Sequence, residues 1–244
     1  MTSSSESTGR RSVGCYLGDI AGNYDQERFR SPAGKAIDLS EKDTLWSLLN
    51  DKPAGLVFAE VGSGTGRFSL QASSMGFETY SVDGSYPMLM LHRKKMRSLG
   101  NVECELVQGD ALKLPLKDDS ADIVVAIRVL NQLGSDEERI VAIRELIRIC
   151  KPKGSVVFDL GNVRSLGVLT GNFNHLSNVD RLVKSITKEH SSARLLKKGR
   201  FIVPFTLILL ASASFADTLT RVDRKLSKVL TGFCTRTYIR IDKA

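Results

Sequence analysis

The sequence contains few of the residues that build metal sites or disulfide-bonded folds. Only four cysteines and three histidines occur in 244 residues, and no Cys-x-x-Cys pair is present. Cys15, Cys104, Cys150 and Cys234 are scattered along the chain without a nearby histidine. Neither a zinc site nor a disulfide framework is indicated, so we predict no bound metal. A reducing, cytoplasmic setting is the simplest interpretation of this cysteine usage.

Long apolar runs are also lacking. The run at residues 201–216 is shorter than the roughly 20 apolar residues of a spanning helix, and Pro204 interrupts it. We expect a sixth strand that ends at Val203, followed by a core helix. The alternative is a lipophilic acceptor pocket or an interfacial helix, which would make the protein peripheral to a membrane. Residues 2–9 lack an apolar core after a basic start, so we expect no signal peptide and a disordered tail over residues 1–14.

Positive charge is concentrated in the last quarter of the chain. Residues 1–180 hold 21 Lys and Arg against 23 Asp and Glu, whereas residues 181–244 hold 14 against 4. A basic region of this kind attracts nucleic acid, an anionic membrane surface or an acidic substrate. The alternative is a solvated basic face without a specific partner.

The most informative stretch is residues 60–66, with the sequence Glu-Val-Gly-Ser-Gly-Thr-Gly, which follows the apolar run 56–59. An apolar run that ends in an acidic residue and alternating glycines predicts a buried parallel strand that breaks into a tight loop. A helix should then open at Arg67 or Phe68. Glycines permit positive φ and let a ligand lie against the main chain, so this turn predicts a ligand site.

Two common ligands fit this turn poorly. A dinucleotide fingerprint places its third glycine three residues after the second, where this chain has Arg67. No Gly-Lys-Ser/Thr follows, which disfavours a nucleoside triphosphate loop. An acidic residue two positions before the first glycine suits a ligand that carries a cationic amino group and a sulfonium.

With these residues the chain resembles the class I S-adenosylmethionine (SAM) dependent methyltransferases, whose first motif is an acidic residue, any residue, then Gly-x-Gly-x-Gly. The resemblance is closest to small-molecule types such as the ubiquinone/menaquinone C-methyltransferases and covers roughly residues 55–162. Further strand candidates end in Asp83, which the resemblance implies as the ribose ligand, and in Gly109-Asp110-Ala111, the adenine turn. The family closes its donor pocket after a fourth strand, which here would be the run 123–127, and residues 145–154 are similar to the family's Glu-x-x-Arg-x-Leu-Lys-Pro-Gly-Gly.

The resemblance implies SAM as the cofactor and S-adenosylhomocysteine (SAH) as its product. An N-terminal Tyr-Asp segment would fold over the donor. The implied donor-binding residues run from this segment to the end of the fourth strand: Tyr24, Arg28, Glu60, Gly62, Ser63, Gly64, Gly66, Asp83, Gly84, Gly109, Asp110, Ala111, Ile127 and Arg128.

Five strand-and-helix signals predict a doubly wound α/β fold. The resemblance implies a Rossmann-like, mostly parallel sheet of seven strands, the last of them antiparallel. We expect one domain: a helical cap over residues 15–50 with two short helices, a SAM-binding core over 51–162, and a substrate-side segment over 163–244. The helix at residues 86–99 should present His92 to solvent among Arg93, Lys94 and Lys95.

Few catalytic residues are expected, because the sulfonium already supplies a good leaving group. His175, Arg128 and Asn162 are the candidate catalytic residues. Asn131-Gln132 stand where an Asn/Asp-Pro-Pro-Tyr/Phe string would indicate an amino acceptor of adenine or glutamine, and a Pro-Cys pair for attack on a pyrimidine is missing. We therefore expect a small or lipophilic acceptor. An RNA methyltransferase that uses the basic region and a non-catalytic protein of methyltransferase fold are the alternatives.

Overall fold

A computed structural model describes residues 31–50, 52–100, 102–164, 177–189, 194–200 and 213–244. Seven strands of these residues form one sheet in the order β3-β2-β1-β4-β5-β7-β6. The strands are β1 (Val57–Val61), β2 (Glu78–Asp83), β3 (Glu105–Gln108), β4 (Ala121–Ala126), β5 (Cys150–Gly161), β6 (Arg194–Arg200) and β7 (Arg236–Asp242). Only β7 runs antiparallel to its two neighbours, β5 and β6, among the described strands. The predicted doubly wound, mostly parallel α/β sheet with an antiparallel last strand is confirmed.

Helices connect these strands and cover both faces of the sheet. Their bounds are α1 (Pro32–Leu48), α2 (Ser69–Ser74), α3 (Tyr86–Leu99), α4 (Asp136–Ile149), α5 (Val179–Glu189) and α6 (Ala213–Val229), with short 3-10 turns at Leu130–Gln132 and Thr231–Phe233. Ser135 caps α4 by accepting a hydrogen bond from the Glu138 amide, and acidic residues fill the first turn, where the helix dipole favours them.

The core has two layers because the sheet is buried on both sides. On one face, Ile143 and Leu146 of α4 pack with Val156 of β5, and all three are buried. On the other face, Leu45 of α1 packs with Phe58 of β1. Strands buried on both faces read as continuous apolar runs in the sequence, which is why β4 and β5 could be located without alternation.

Two predicted boundaries extend beyond the described residues. Residues 31–50 contain one helix, α1, whereas two short helices had been expected over 15–50; residues 15–30 lie outside the described part. The sixth strand is described as β6 (Arg194–Arg200), and its predicted end at Val203 and the start of the core helix expected after it lie outside the described residues. Strand β5 begins at Cys150, and a register shift against β4 absorbs the Lys-Pro-Lys-Gly stretch before Ser155.

Helix α1 is tied to the far edge of the sheet by basic residues of β6 and β7. The Lys198 Nζ atom donates to the Ser47 carbonyl at 3.1 Å, and Arg240 donates to the Leu48 carbonyl. The Arg200 Nε atom donates to Thr44 Oγ1 at 2.7 Å. Cations at the carbonyl end of a helix satisfy carbonyl groups that lack intrahelical partners. These bonds hold α1 against β6 and β7.

Candidate active site

A cavity of about 560 Å³ opens at the carboxyl ends of β1, β2, β3 and β4. This edge is where open α/β sheets hold ligands, because the loops after the strands converge there. Eleven predicted donor residues line the cavity: Glu60, Gly62, Ser63, Gly64, Asp83, Gly84, Gly109, Asp110, Ala111, Ile127 and Arg128. Loops that are far apart in the sequence are thus brought into one site.

The glycine turn after β1 has a backbone that other residues would strain. Gly62 has φ of +67°, and a Cβ atom added there would lie 2.1 Å from Val129 Cγ2. Gly64 has φ of +53°, but an added Cβ atom would meet no atom within 4 Å. Both positions therefore favour glycine, Gly62 for its backbone and for close packing against the loop after β4, and Gly64 for its backbone alone.

Glu60 is a buried carboxylate at the floor of the cavity, with 3% of its surface exposed. Its Oε2 atom accepts a hydrogen bond from the Ser69 amide at 2.7 Å, so it ties β1 to the start of α2. Burial raises the pKa of Glu60 to about 7, while its bonds to Ser69 and the charge of Arg67 act in the opposite direction. A cationic ligand group beside Glu60 would favour the ionised form.

Asp83 and Asp110 present carboxylates further along the same edge. Asp83 accepts hydrogen bonds from the Gly64 amide at 2.7 Å and the Ser85 amide at 2.8 Å, and burial nevertheless raises its pKa. Asp110 is exposed, and its Oδ1 atom accepts from the Leu112 amide at 2.9 Å. Two of the three predicted carboxylates are therefore held by the turns they help to form.

One polar atom in the wall has no partner among the described residues. The Ser63 hydroxyl is buried and makes no hydrogen bond there, although Ser63 lines the cavity. A buried hydroxyl without a partner costs about 1–3 kcal/mol. A polar ligand in the cavity would remove that cost.

Gly66 and His92 differ from the predictions. Gly66 does not line the cavity; an added Cβ atom there would lie 2.3 Å from His92 Nε2. His92 is fully buried, which contradicts the predicted solvent-facing position. The surrounding charges misled the prediction, because Arg93 and Lys94 lie on the exposed side of α3 while His92 faces the glycine turn. Burial lowers the pKa of His92 to about 4.

Of the candidate catalytic residues, the described part of the chain contains Asn162 and Arg128. Asn162 is buried outside the cavity lining, where its Nδ2 atom donates to the Gly232 carbonyl at 2.9 Å and its Oδ1 atom accepts from the Arg164 amide. Arg128 lines the cavity, and its guanidinium forms an ion pair with Glu41 of α1. Tyr24, Arg28 and His175 lie outside the described residues.

Sequence reasoning missed part of the wall. Apolar and polar residues beside the predicted set complete the cavity: Val61, Thr65, Arg67, Phe68, Ser85, Met88, Gln108, Leu112, Val129, Gln132, Leu133 and Glu138. Most follow a predicted strand end by a few residues, so proximity to the motifs was the available signal. Gln132 and Leu133 belong to the turn after β4.

The basic C-terminal residues do not form one patch. Arg200 and Arg240 are buried, and Arg236 forms an ion pair with the fully buried Asp159. Exposed cations cluster instead on α6: Arg221, Arg224, Lys225 and Lys228. Part of the positive excess thus serves the fold.

Across the described ranges, no helix is both long and apolar enough to cross a bilayer, and no acidic, Cys or His cluster is arranged to hold a metal ion.

Comparison with known proteins agrees with this geometry. Residues 59–158 match the family model described as a methyltransferase domain. The probable tRNA methyltransferase 9B of Mus musculus is 31% identical over 109 residues, 45% of this chain and 22% of that protein. The demethylmenaquinone methyltransferase of Staphylococcus aureus is 36% identical over 107 residues, 42% of each chain. This chain therefore aligns with about a quarter of the tRNA methyltransferase relatives' length.

The whole fold also has solved counterparts. The magnesium protoporphyrin IX methyltransferase of Synechocystis, solved with bound SAH, superposes with a TM-score of 0.62 at 14% identity and covers 93% of this chain and 97% of that chain. At this identity the likeness concerns the fold. The matched domain, the ordered motifs and the fold together support the class I SAM-dependent methyltransferase superfamily, whose cofactor is SAM.

Proposed function

We propose that this protein is a SAM-dependent methyltransferase that acts on a small or lipophilic molecule. The observation that carries the proposal is the order of three carboxylates in one cavity: Glu60 on β1, Asp83 at the end of β2 and Asp110 after β3. These strands are neighbours in the sheet, so the carboxylates follow one another along its edge.

The residues fit SAM in three respects. Glu60, buried and with a pKa raised to about 7, gains from a cationic amino group or sulfonium beside it. Asp83 has two carboxylate oxygens at a strand end and would accept both ribose hydroxyls. Asp110 would accept from the adenine amino group. The buried Ser63 hydroxyl offers a further polar contact.

Catalysis then depends mainly on binding and orientation. Bound SAM supplies a methyl group on a sulfonium leaving group. The chain has to hold the acceptor atom in line with that methyl and to exclude water from it. Phe68, Met88 and Leu133 supply apolar wall for this purpose. A general base is needed only for an acceptor that must lose a proton early, such as a phenol.

Apolar wall residues near β4 support a small or lipophilic acceptor. Ile127, Val129 and Leu133 follow β4 and line the cavity. A relative of this chain bears the name demethylmenaquinone methyltransferase. An apolar acceptor would bury its surface against these residues at a gain of about 25 cal/mol per Å².

The test is methyl transfer from labelled SAM to a cell extract, divided afterwards into an organic phase, a water-soluble small-molecule phase and an acid-precipitable phase. We expect label in one of the first two phases with the wild-type protein and none with Asp83→Ala. Asp180→Ala, which removes an exposed carboxylate of α5, is the matched control and should retain transfer. Label confined to the acid-precipitable phase would refute the acceptor class.

A second candidate is methylation of RNA, which the exposed cations of α6 favour. Relatives of this chain are named tRNA methyltransferases. RNA binding through Lys225 and Lys228 should weaken steeply with salt, since phosphate contacts release counterions. The double variant Lys225→Glu/Lys228→Glu should then abolish tRNA labelling. Lys94→Glu, on the exposed side of α3, is the control and should not. Affinity for tRNA that is insensitive to salt would exclude this electrostatic contact.

The third alternative is a binding protein of methyltransferase fold without activity. Retention of Glu60, Asp83 and Asp110 in one cavity argues against it. SAM binding without transfer to any of the three phases would favour it, and transfer to any metabolite would dispose of it.

A further inference from the structure

Helix α1 contributes a buried carboxylate next to the cavity. Glu41 has no exposed surface, and its two oxygens accept from different loops of the site. The Oε1 atom accepts from Arg128 Nε at 2.6 Å, and the Oε2 atom accepts from Arg67 Nη2 at 2.8 Å. Arg67 follows the glycine turn and Arg128 follows β4. One side chain from outside the matched domain, residues 59–158, therefore joins two walls of the cavity.

The charge of Glu41 is fixed by its neighbours. Burial by itself would raise the pKa of Glu41, but Arg128, Arg67 and Arg236 together lower it to about 2. The carboxylate stays ionised at physiological pH. Glu41 also binds two guanidinium groups that repel each other. The positive charge of Arg128 lowers the pKa of Arg67, whereas the negative charge of Glu41 raises it. Asp38, three residues earlier on α1, accepts a further bond from Arg67 Nε at 2.7 Å.

Arg128 is held at its backbone as well as its side chain. Its φ of +64° is unusual for a residue with a side chain. The Arg128 amide donates to Asp159 Oδ1 at 2.6 Å, and Arg236 forms an ion pair with the same carboxylate. A backbone outlier held from two sides indicates a position on which the surrounding structure depends.

The ion pairs lie at one end of the cavity. Along the sheet edge, Asp110 follows β3, Asp83 ends β2, Gly62 follows β1 and Arg128 follows β4. Under the proposed function, adenine lies at Asp110 and ribose at Asp83. The amino-acid part of SAM then lies toward β1 and β4, where Arg67 and Arg128 line the wall.

We propose that Glu41 is a positioning residue for the donor: it holds Arg67 and Arg128 together and so shapes the wall that receives the amino-acid part of SAM. This inference rests on the proposed function. Glu41 is not part of the cavity lining, so it acts through the two arginines. Donor affinity thereby depends on the docking of α1.

Calorimetry with two ligands tests this role. SAH carries the amino-acid part, whereas 5′-methylthioadenosine has the same nucleoside without it. For Glu41→Gln we expect an SAH Kd about tenfold higher, which corresponds to about 1.4 kcal/mol, and a methylthioadenosine Kd within about twofold of wild type. Asp43→Asn is the matched control on α1, because Asp43 is half exposed and lies 3.5 Å from Arg224; it should leave both values unchanged.

Each outcome decides the matter. Unchanged SAH affinity in Glu41→Gln would overturn the inference, and so would a parallel loss for both ligands, which would indicate a general effect on folding. If Glu41→Gln does not fold, the double variant Glu41→Gln/Arg128→Gln takes its place, because it removes both charges of the ion pair and leaves neither of them uncompensated. An SAH affinity of the double variant equal to that of wild type would also overturn the inference. Failure of wild type to bind SAH would instead refute the proposed function.

Discussion

Glu60 gives the ligand-free protein an unusual dependence of stability on pH. Its pKa of about 7 in the folded state compares with an ordinary value of 4.5, and burial is the largest cause. The folded protein therefore binds a proton at Glu60 more tightly than the unfolded chain does. Stability is higher when Glu60 is protonated, and it falls as pH rises from about 4.5 to about 7.

The size of this effect follows from the difference between the two pKa values. Each pKa unit corresponds to about 1.4 kcal/mol, so the full cost of ionising Glu60 in the folded state is about 3 kcal/mol. Between pH 5 and pH 8, where most of the titration occurs, Glu60 should lower the free energy of unfolding by about 2.5 kcal/mol. Glu60→Gln keeps an acceptor for the Ser69 amide but cannot ionise.

Urea unfolding of wild type and Glu60→Gln at pH 5 and pH 8 measures this contribution as a difference between the two proteins. Glu60→Gln should gain about 2.5 kcal/mol relative to wild type on going from pH 5 to pH 8. The exposed Glu103→Gln variant is the control for loss of one carboxylate. Equal pH dependence in wild type and Glu60→Gln would refute the reasoning, because it would mean that Glu60 ionises as easily in the folded state as in the unfolded chain.

Further predictions concern the glycine turn. In urea unfolding, Gly62→Ala should destabilise the protein by more than Gly64→Ala. Both glycines have positive φ, which should cost each variant about 1–2 kcal/mol, but only at Gly62 would an added Cβ atom clash, at 2.1 Å from Val129 Cγ2. Equal losses of stability in the two variants would contradict the packing argument. Gly66→Ala should lower the melting temperature through its clash with the His92 ring, and His92→Ala should recover part of that loss in the double variant; purely additive losses would show that the two sites do not interact.

Sequence patterns predicted eleven residues of the cavity wall because these residues lie at strand ends or in the loops that follow them. Glu60 is the penultimate residue of β1, Asp83 ends β2 and Asp110 follows β3 by two residues, and parallel strands bring their carboxyl ends to one edge. The roles of these residues stay predictions until ligand binding is measured. The fold was predictable for a related reason, since β4 and β5 are buried on both faces and read as continuous apolar runs.

Long-range contacts were beyond the reach of the sequence. Nothing in α1 indicates that Glu41 accepts from Arg128, 87 residues away, or that Arg200 bonds to Thr44. His92 was misplaced because three basic neighbours dominate the local pattern, although helical geometry turns His92 to the opposite side from Arg93 and Lys94. Pairings of this kind depend on tertiary packing, which local propensity does not encode.

Calorimetric titration of the protein with SAM tests the central claim most directly. We predict saturable binding by wild type and by Asp180→Ala, and at least a tenfold weaker affinity for Asp83→Ala, because the variant loses the carboxylate that would hold the ribose hydroxyls. No binding of SAM or SAH by the wild-type protein, or identical affinities for wild type and Asp83→Ala, would contradict the assignment of this cavity as the donor site.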